Sequence, residues 1–271
     1  MADFRFLAAA AVIATVTFGT SAFAGPECGD TAAGFSEWLP DMEREAMAAT
    51  VAPNIVQETL GNASYDPDVI AHDRRQGSFH GDVATFAAKR VTSYRVKKGK
   101  QMMLAYAEAL DAIEAKYGVP APVLVAIWGL ESEFGAGSGT YSTFNALATL
   151  AYDCRRSDQF HEELIAAMKL VQRGAIDPNV HGAWAGEIGQ TQFMPSVYLR
   201  YAVAYNGARN ADLIGTPADA LASTANFLKA NGWKRGPGWH QGEANYDALL
   251  QWNEAPVYAG TIALFADRLA Q

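Results

Sequence analysis

The chain lacks an excess of positive charge, and this limits what it could bind. Its 271 residues include 21 lysines and arginines against 29 aspartates and glutamates, which gives a formal net charge of −8. Nucleic acids select proteins with basic surfaces, so we expect no nucleic-acid partner. An anionic polymer would gain nothing from this charge either, and aromatic faces and hydrogen bonds would have to bind it.

The sequence also lacks the common metal-binding and nucleophile motifs. Its five histidines show neither the H-E-x-x-H pattern nor any other paired spacing, so we expect no metal site and no cofactor. There is no G-x-S-x-G elbow, and neither cysteine has the local signature of a nucleophile. The glycine-rich GAGSGT at 135–140 contains no lysine and follows a predicted helix rather than a strand, which argues against a phosphate loop.

Long apolar runs are absent after residue 24, but one precedes it. Arg5 is followed by an apolar run over 6–18, and the Ala-Phe-Ala at 22–24 has the small-x-small form of a cleavage site. We interpret residues 1–24 as a secretory signal that is cut after Ala24, with an uncleaved anchor as the alternative. The mature protein is then expected to be periplasmic and soluble, without an integral membrane segment.

Cysteine is scarce, since Cys28 and Cys154 are the two in the chain. Both lie in the part expected to be exported to an oxidising compartment, so we predict a disulfide between them. It would link the N-terminal tail to the core and add about 2–5 kcal/mol to the free energy of unfolding. Two free buried thiols are the alternative.

The most informative stretch is VLVAIWGLESEFG, at 123–135. Its first eight residues are apolar on nearly every side of a helix, which is typical of a buried helix. Two carboxylates follow at its C-terminal end, Glu131 and Glu133. Burial opposes ionisation, and a carboxylic acid that keeps its proton near pH 7 is what general acid catalysis requires. The alternative is that both glutamates lie in solvent beyond the end of the helix.

Helical periodicity predicts the structure of most of the chain. Residues 25–62 have helical patterns, and from Lys100 apolar residues recur at spacings of three and four up to Tyr117. Residues 64–98 differ, because they are rich in turn formers and RVTSYRV at 90–96 alternates as strands do. We therefore expect a small β-containing subregion there. Further helices are predicted from residue 145 to the C-terminus.

Four segments occur in the order and at the spacing of one enzyme family. They are VLVAIWGLESEFG, NALATLAYDCRRSDQF, GAWAGEIGQTQFMPS and STANFLKANGW. Together they resemble the lytic murein transglycosylases of the membrane-bound type B class, glycoside hydrolase family 103. The resemblance extends from about residue 35 to the C-terminus.

The resemblance implies a mainly α (α+β) fold, with a lysozyme-like helical core, flanking α-helical segments and a small β-containing insertion. It divides the chain into the signal (1–24), an N-terminal helical segment with the small β-containing subregion (25–99), and the catalytic core with C-terminal helices (100–271). The expected partner is peptidoglycan glycan strands, and the expected state is a monomer.

The resemblance also implies that Glu131 is a single catalytic acid/base. In the family this glutamate protonates the oxygen of the β-1,4 bond between N-acetylmuramic acid (MurNAc) and N-acetylglucosamine (GlcNAc). It then accepts the proton of the MurNAc O6, which closes a 1,6-anhydro ring, and the substrate's N-acetyl group assists. A lysozyme-like hydrolase and a non-catalytic glycan-binding relative are the alternatives. A two-carboxylate hydrolase would need a second acid, for which Glu187 and Asp153 are the candidates.

Substrate-binding roles are implied for residues in three further segments. Gln192, Phe193 and Met194 of QTQFMP match the family's cleft loop, and Tyr258 matches a tyrosine near the catalytic acid. Phe227 stands where the family has a cleft tyrosine, so stacking on a sugar would be kept and a hydrogen bond lost. The alternatives are a core packing loop for Gln192, Phe193 and Met194, and an aromatic on a helix face for Tyr258.

Besides Phe227, the sequence departs from the family at two positions of the cleft loop and in the segment at 204–215. A serine often found near the acid is Ala183 here, and an alanine in the same loop is Glu187, which we expect to alter subsite preference and rate. Some relatives carry an EF-hand-like loop, but in AYNGARNADLIG only Asp212 is negatively charged. Calcium needs several oxygen ligands, usually including carboxylates, so we predict no calcium requirement.

Overall fold

Helices make up most of the computed structural model, which describes residues 27–75, 81–236 and 238–271. The signal peptide expected at 1–24 lies outside these residues. The helices are a 3₁₀ turn (Ala32–Gly34), α1 (Phe35–Ala48), α2 (Pro53–Leu60), α3 (Pro67–Arg75), α4 (Val83–Arg90), α5 (Ser93–Ala105), α6 (Ala107–Tyr117), α7 (Ala121–Ser132), α8 (Thr143–Tyr152), α9 (Ser157–Gln172), α10 (Pro195–Tyr201), α11 (Pro217–Ala230), α12 (Tyr246–Trp252) and α13 (Pro256–Ala270). None of those found in the described ranges is long and apolar enough to cross a membrane.

Helix α7 lies at the centre of the core, as its all-round apolar sequence predicted. Every residue from Val123 to Gly129 is buried, and α13, α5, α6 and α11 pack around the helix. Its start is set by Gly118, which ends α6 with a left-handed φ of 77°, and by Pro120, which is the N-cap residue of α7. Burial on all sides fixes α7 firmly, so its C-terminal end is a rigid support for side chains.

The regular spacing from Lys100 to Tyr117 is divided between two helices instead of one. Helices α5 and α6 meet at Tyr106, whose φ of −113° and ψ of 21° are not helical. The Tyr106 ring packs edge-on against Trp128 of α7, with ring centroids 5.5 Å apart. A local periodicity cannot reveal such a bend, because the spacing of apolar residues is nearly the same on both sides of it.

The strand expected at 90–96 is wrong, because this segment ends α4 and begins α5. Two side-chain caps explain the helices: Asp82 Oδ1 accepts the Thr85 N–H at 2.9 Å, and Thr92 Oγ1 accepts the Arg95 N–H at 3.2 Å. The described part of 64–98 is therefore helical rather than β-containing. The paired strands are instead β1 (Tyr141–Ser142) and β2 (His181–Gly182), which are antiparallel with Tyr141 opposite Gly182.

The predicted disulfide between Cys28 and Cys154 is confirmed. It joins the start of the described chain to the loop between α8 and α9, where the Gly29 N–H also donates to the Tyr152 carbonyl at 2.9 Å. The same loop is tied to α3 by the buried carboxylate of Asp73, which accepts from Arg155 Nη1 at 2.6 Å. The N-terminal helices are thus fixed to the core by a covalent link and by a buried ionic one.

Candidate active site

Three consecutive residues at the end of α7 make contacts in three different directions. The carboxyl of Glu131 meets α12 and α13, described below. The Ser132 hydroxyl donates to the backbone carbonyl of Gln190. This bond joins α7 to a second glycine-rich loop, residues 183–194 between β2 and α10. The Glu133 carboxylate accepts from Arg95 Nε at 2.9 Å. Glu131 and Glu133 therefore face different parts of the molecule, because side chains two residues apart on a helix point to different sides.

The chain leaves α7 through three residues in the left-handed region. The φ values are 54° at Glu133, 61° at Phe134 and 82° at Gly135. Such values are uncommon for residues with a side chain, and packing holds them here: the Phe134 ring lies edge-on against Trp128 at 5.7 Å. At Gly135 an added Cβ would lie 2.5 Å from the Gln190 Oε1, so the motif needs glycine at that position.

The Glu131 carboxyl receives two hydrogen bonds on the same oxygen. Trp252 Nε1 and the Tyr258 hydroxyl each donate to Oε1 at 2.9 Å. No hydrogen bond to Oε2 is present within the described residues. Because Oε1 already accepts twice, a proton on the neutral carboxyl is best carried by Oε2.

Burial raises the pKa of Glu131 to about 7, although the hydrogen bonds from Trp252 and Tyr258 lower it in part. When Glu187 is ionised, its negative charge raises the pKa of Glu131 further. The pKa of Tyr258 lies well above its ordinary value, owing to burial and to Glu131, so this hydroxyl remains a donor. A carboxyl with a pKa near neutrality can both donate and accept a proton at neutral pH.

Glu131 lies on the wall of a cavity of about 440 Å³. This volume lies within the range of small-ligand pockets. The lining residues are Glu131, Ala183, Trp184, Glu187, Gln192, Phe193, Met194, Val197, Phe227, Gln251, Trp252 and Asn253. The structure thus brings together five of the six residues expected to be catalytic or substrate-binding: Glu131, Gln192, Phe193, Met194 and Phe227. Tyr258 reaches the site through its bond to Glu131.

Aromatic rings form one wall of this cavity. Phe193, Phe227 and Trp252 contact one another with ring centroids 5.3 to 6.3 Å apart. Phe193 and Phe227 are mostly buried, so they contribute edges to the wall and also belong to the core. The helix that follows Phe193 is fixed at its start by Glu163 of α9, whose carboxylate accepts the Ser196 N–H at 2.8 Å.

The two glutamines of the GQTQF segment have different surroundings. Gln190 is buried and accepts the Trp128 indole N–H at 3.0 Å, so it belongs to the core. Gln192 has a left-handed φ of 52° and lines the cavity. Its amide nitrogen donates to the carbonyls of Gly189, at 2.7 Å, and Ser138, at 3.3 Å. Gln192 therefore also holds the two glycine-rich loops together at the cleft.

Sequence reasoning missed the two tryptophans of the cleft. Trp252 ends α12 and donates to the candidate catalytic acid, and a signal was present, since it lies six residues before Tyr258 in WNEAPVY. Trp184 stacks on His72 of α3, with ring centroids 5.9 Å apart and an interplanar angle of 18°. The segment around Trp184 was recognised as a loop, but nothing local indicated a ring at the cleft.

The two candidates for a second carboxylate lie in different places. Asp153 is buried, accepts from Arg74 Nη2 at 2.6 Å and does not line the cavity, so its contacts are structural. Glu187 lines the cavity with Glu131. Burial raises the pKa of Glu187 as well.

The part of the chain that the structure describes contains no group of three or more His, Cys, Asp or Glu that could hold a metal ion; His80 lies outside that part. In the loop compared with an EF-hand, Asp212 Oδ1 accepts the backbone N–H groups of Ile214, at 3.0 Å, and Gly215, at 2.8 Å. This carboxylate is therefore engaged in its own turn. The absence of a calcium requirement stays a prediction, which a melting-temperature measurement at micromolar free calcium would test.

A mainly helical fold that holds a buried carboxyl in an aromatic-lined cleft defines a protein of the lysozyme-like class. Residues 34–242 match the Transglycosylase SLT domain family. The match covers most of the chain, and the protein belongs to this family.

The chain is similar to several characterised relatives. It is 37% identical to membrane-bound lytic murein transglycosylase B of Escherichia coli (strain K12) over 153 residues. These residues are 56% of this chain and 42% of that protein. The structure of SltB3 from Pseudomonas aeruginosa in complex with NAG-anhNAM-pentapeptide has 30% identity and a TM-score of 0.82, covering 87% of this chain and 79% of the other. The structure of the E. coli lytic transglycosylase Slt35 in complex with calcium shares the fold, with a TM-score of 0.75. The two sequences are 24% identical, and the match covers 91% of this chain and 96% of the other.

Proposed function

We propose that the protein is a lytic transglycosylase that cleaves the β-1,4 bond between MurNAc and GlcNAc in peptidoglycan and leaves 1,6-anhydro-MurNAc ends. The observation that carries this proposal is the Glu131 carboxyl, with a pKa of about 7 and with Oε1 held by two donors. The similarity to SltB3, whose structure contains a NAG-anhNAM-pentapeptide, supports the same substrate and product class.

In the first step neutral Glu131 donates its proton from Oε2 to the oxygen that bridges the two sugars, and the bond from that oxygen to C1 of MurNAc breaks. The carboxylate that remains is stabilised by the hydrogen bonds from Trp252 and Tyr258, which are already in place. Since both donors meet Oε1, protonation and deprotonation occur at Oε2 without a change in the position of the carboxyl.

In the second step the MurNAc O6 forms a bond to C1, and the Glu131 carboxylate accepts the O6 proton. The enzyme returns to its starting state and no water is consumed. One carboxyl therefore serves as acid and as base, which is consistent with a pKa near neutrality. The N-acetyl group of the substrate assists at C1, so a second enzyme carboxylate has no required part in the reaction.

The products of peptidoglycan digestion test this proposal. The mature protein is incubated with purified sacculi, and the released muropeptides are measured by mass spectrometry. We expect anhydro products, which are one water lighter than those of hydrolysis. Products with free reducing ends would contradict the proposal and indicate a lysozyme-like hydrolase. Binding to sacculi without release of muropeptides would also contradict it and indicate a glycan-binding protein.

We further propose that the protein is exported to the periplasm, cut after Ala24 and monomeric. The apolar run before residue 24 and the disulfide between Cys28 and Cys154 support export to an oxidising compartment. The mass of the protein recovered from the periplasmic fraction, and its size by light scattering, test these statements. The division of the chain at residue 100 stays a prediction, and α5 runs across it.

A further inference from the structure

Two lining residues of the cleft, Ala183 and Glu187, belong to one tight turn. The Ala183 N–H donates to the Glu187 carbonyl at 3.0 Å, and the Gly186 N–H donates to the Ala183 carbonyl at 3.0 Å. Gly186 has a left-handed φ of 87°, which allows the chain to reverse within four residues. The side chains at 183 and 187 therefore start from neighbouring backbone positions on the same wall.

The Glu187 side chain has an oxygen without a partner. Its Oε2 is buried and has no hydrogen bond within the described residues. Leaving a buried polar atom unpaired costs free energy, and an unpaired charge costs more. Burial accordingly raises the pKa of this carboxyl, although the backbone N–H groups of Glu187 and Ala185 and the charge of Arg156 lower it in part. Burial thus shifts this carboxyl toward its neutral form, which has a proton to donate.

The family resemblance seen in the sequence implies a serine where this chain has Ala183 and an alanine where it has Glu187. In this chain the side chain at 183 carries no polar group and the side chain at 187 carries a carboxyl. Since the two residues lie in one turn and line one cavity, the polar group of this part of the wall is at 187.

We propose that Glu187 binds the glycan as a hydrogen-bond donor, supplying from position 187 the polar contact that Ala183 cannot make. This rests on the proposed function, since it assumes an N-acetylated sugar in the cleft. Rotation about the last side-chain bond presents the proton to the cavity that Glu187 lines. The acceptor on the ligand is a sugar hydroxyl or an acetamido carbonyl oxygen. Glu187 is a binding and specificity residue here, not a second catalytic acid.

The affinity for the glycan should fall as the pH rises, because ionisation of Glu187 removes its donor. Three other ionisable groups act on this carboxyl: Glu131 of α7, Arg156 in the loop before α9, and Glu163 of α9. Arginine does not titrate in this range. Burial raises the pKa of Glu163 as well, although its hydrogen bonds from Ser196 lower it in part. Replacing Glu131 by glutamine removes one titrating neighbour of Glu187 and stops the reaction, so binding can be measured without turnover.

The test is calorimetric titration of a GlcNAc–MurNAc tetrasaccharide into the Glu131→Gln protein at pH 5 and pH 8, with further changes made on that background. Glu187→Ala should weaken binding about tenfold at pH 5, the effect of one buried hydrogen bond. Glu187→Gln keeps a donor and should bind with similar affinity at both pH values. The double change Ala183→Ser with Glu187→Ala, which restores the family pattern, should recover most of the loss.

Unchanged affinity in Glu187→Ala would overturn the proposal. So would a loss in Glu187→Ala that neither Glu187→Gln nor the double change recovers, since that pattern indicates a structural role. Glu133→Gln on the same background is the matched control for removing a glutamate next to the site, and the melting temperature of each variant reports folding. The calorimetric test measures binding without turnover, whereas the proposed function is tested by the mass of the products. Either test can therefore fail while the other succeeds.

Discussion

The two walls of the cleft each present a glutamate, and the two glutamates are held differently. Glu131 lies at the end of a rigid buried helix, and one of its oxygens accepts from Trp252 and Tyr258. Glu187 lies in a turn, and one of its oxygens is buried without a partner. Burial raises the pKa of both. If the proposed roles hold, a raised pKa alone does not make a carboxyl the catalytic acid. The acid must also be stabilised as a carboxylate after it has given up its proton, as the two donors to Glu131 would do.

The largest effect should come from Glu131→Gln. The amide keeps the shape of the side chain but cannot release and recover a proton, so activity on sacculi should fall about a hundredfold or more. Folding and glycan binding should survive, as measured by melting temperature and calorimetry. If Glu187→Gln proved as inactive as Glu131→Gln while still folded, a two-carboxylate hydrolase would replace the single-acid mechanism.

A smaller effect should follow from removing one donor to Glu131, as in Tyr258→Phe. The hydrogen bond stabilises the carboxylate and lowers its pKa, so its loss should raise the pKa of Glu131 above about 7. The alkaline limb of the kcat profile should then move to higher pH, and kcat should fall about tenfold because the carboxylate formed in the first step is less stable.

Tyr94→Phe is the matched control for that change, because Tyr94 is 67% exposed and lies on α5 outside the cleft. It should change neither the pH of the alkaline limb nor the value of kcat. An alkaline limb that stayed fixed in Tyr258→Phe would mean that the limb does not report Glu131.

The smallest effect should come from Glu133→Gln, two residues from the candidate acid. Glu133 is paired with Arg95 and partly exposed, and such pairs contribute about 0–1 kcal/mol. We expect a slightly lower melting temperature and kcat within about twofold of the wild type. An inactive but folded Glu133→Gln protein would show that the two glutamates have been assigned the wrong way round.

What the sequence could predict depended on how far apart the interacting residues lie. The buried helix α7 and the end of α6 at Gly118 follow from patterns within a dozen residues. The contact between Trp252 and Glu131 joins residues 121 positions apart. No local pattern carries that information, and family resemblance supplied it for Tyr258 but not for Trp252.

The wrong strand at 90–96 has a different cause. The alternation of RVTSYRV is real, but Thr92 caps a helix that continues through thirteen residues, and the cap with the following helix formers outweighs the alternation. At Glu187 the sequence revealed the departure from the family, whereas the unpaired oxygen became visible only when the turn and its surroundings were in place.

The pKa of Glu131 tests the account most directly. Carbon-13 NMR of the side-chain carboxyls, followed over pH 3 to 9, gives this value, and the signal is assigned by its loss in Glu131→Gln. The account predicts a midpoint of about 7 for this carboxyl, and the alkaline limb of kcat should occur at a similar pH. A midpoint in the ordinary range of about 4 to 5 would contradict it, since Glu131 would then lack the proton it has to donate at neutral pH.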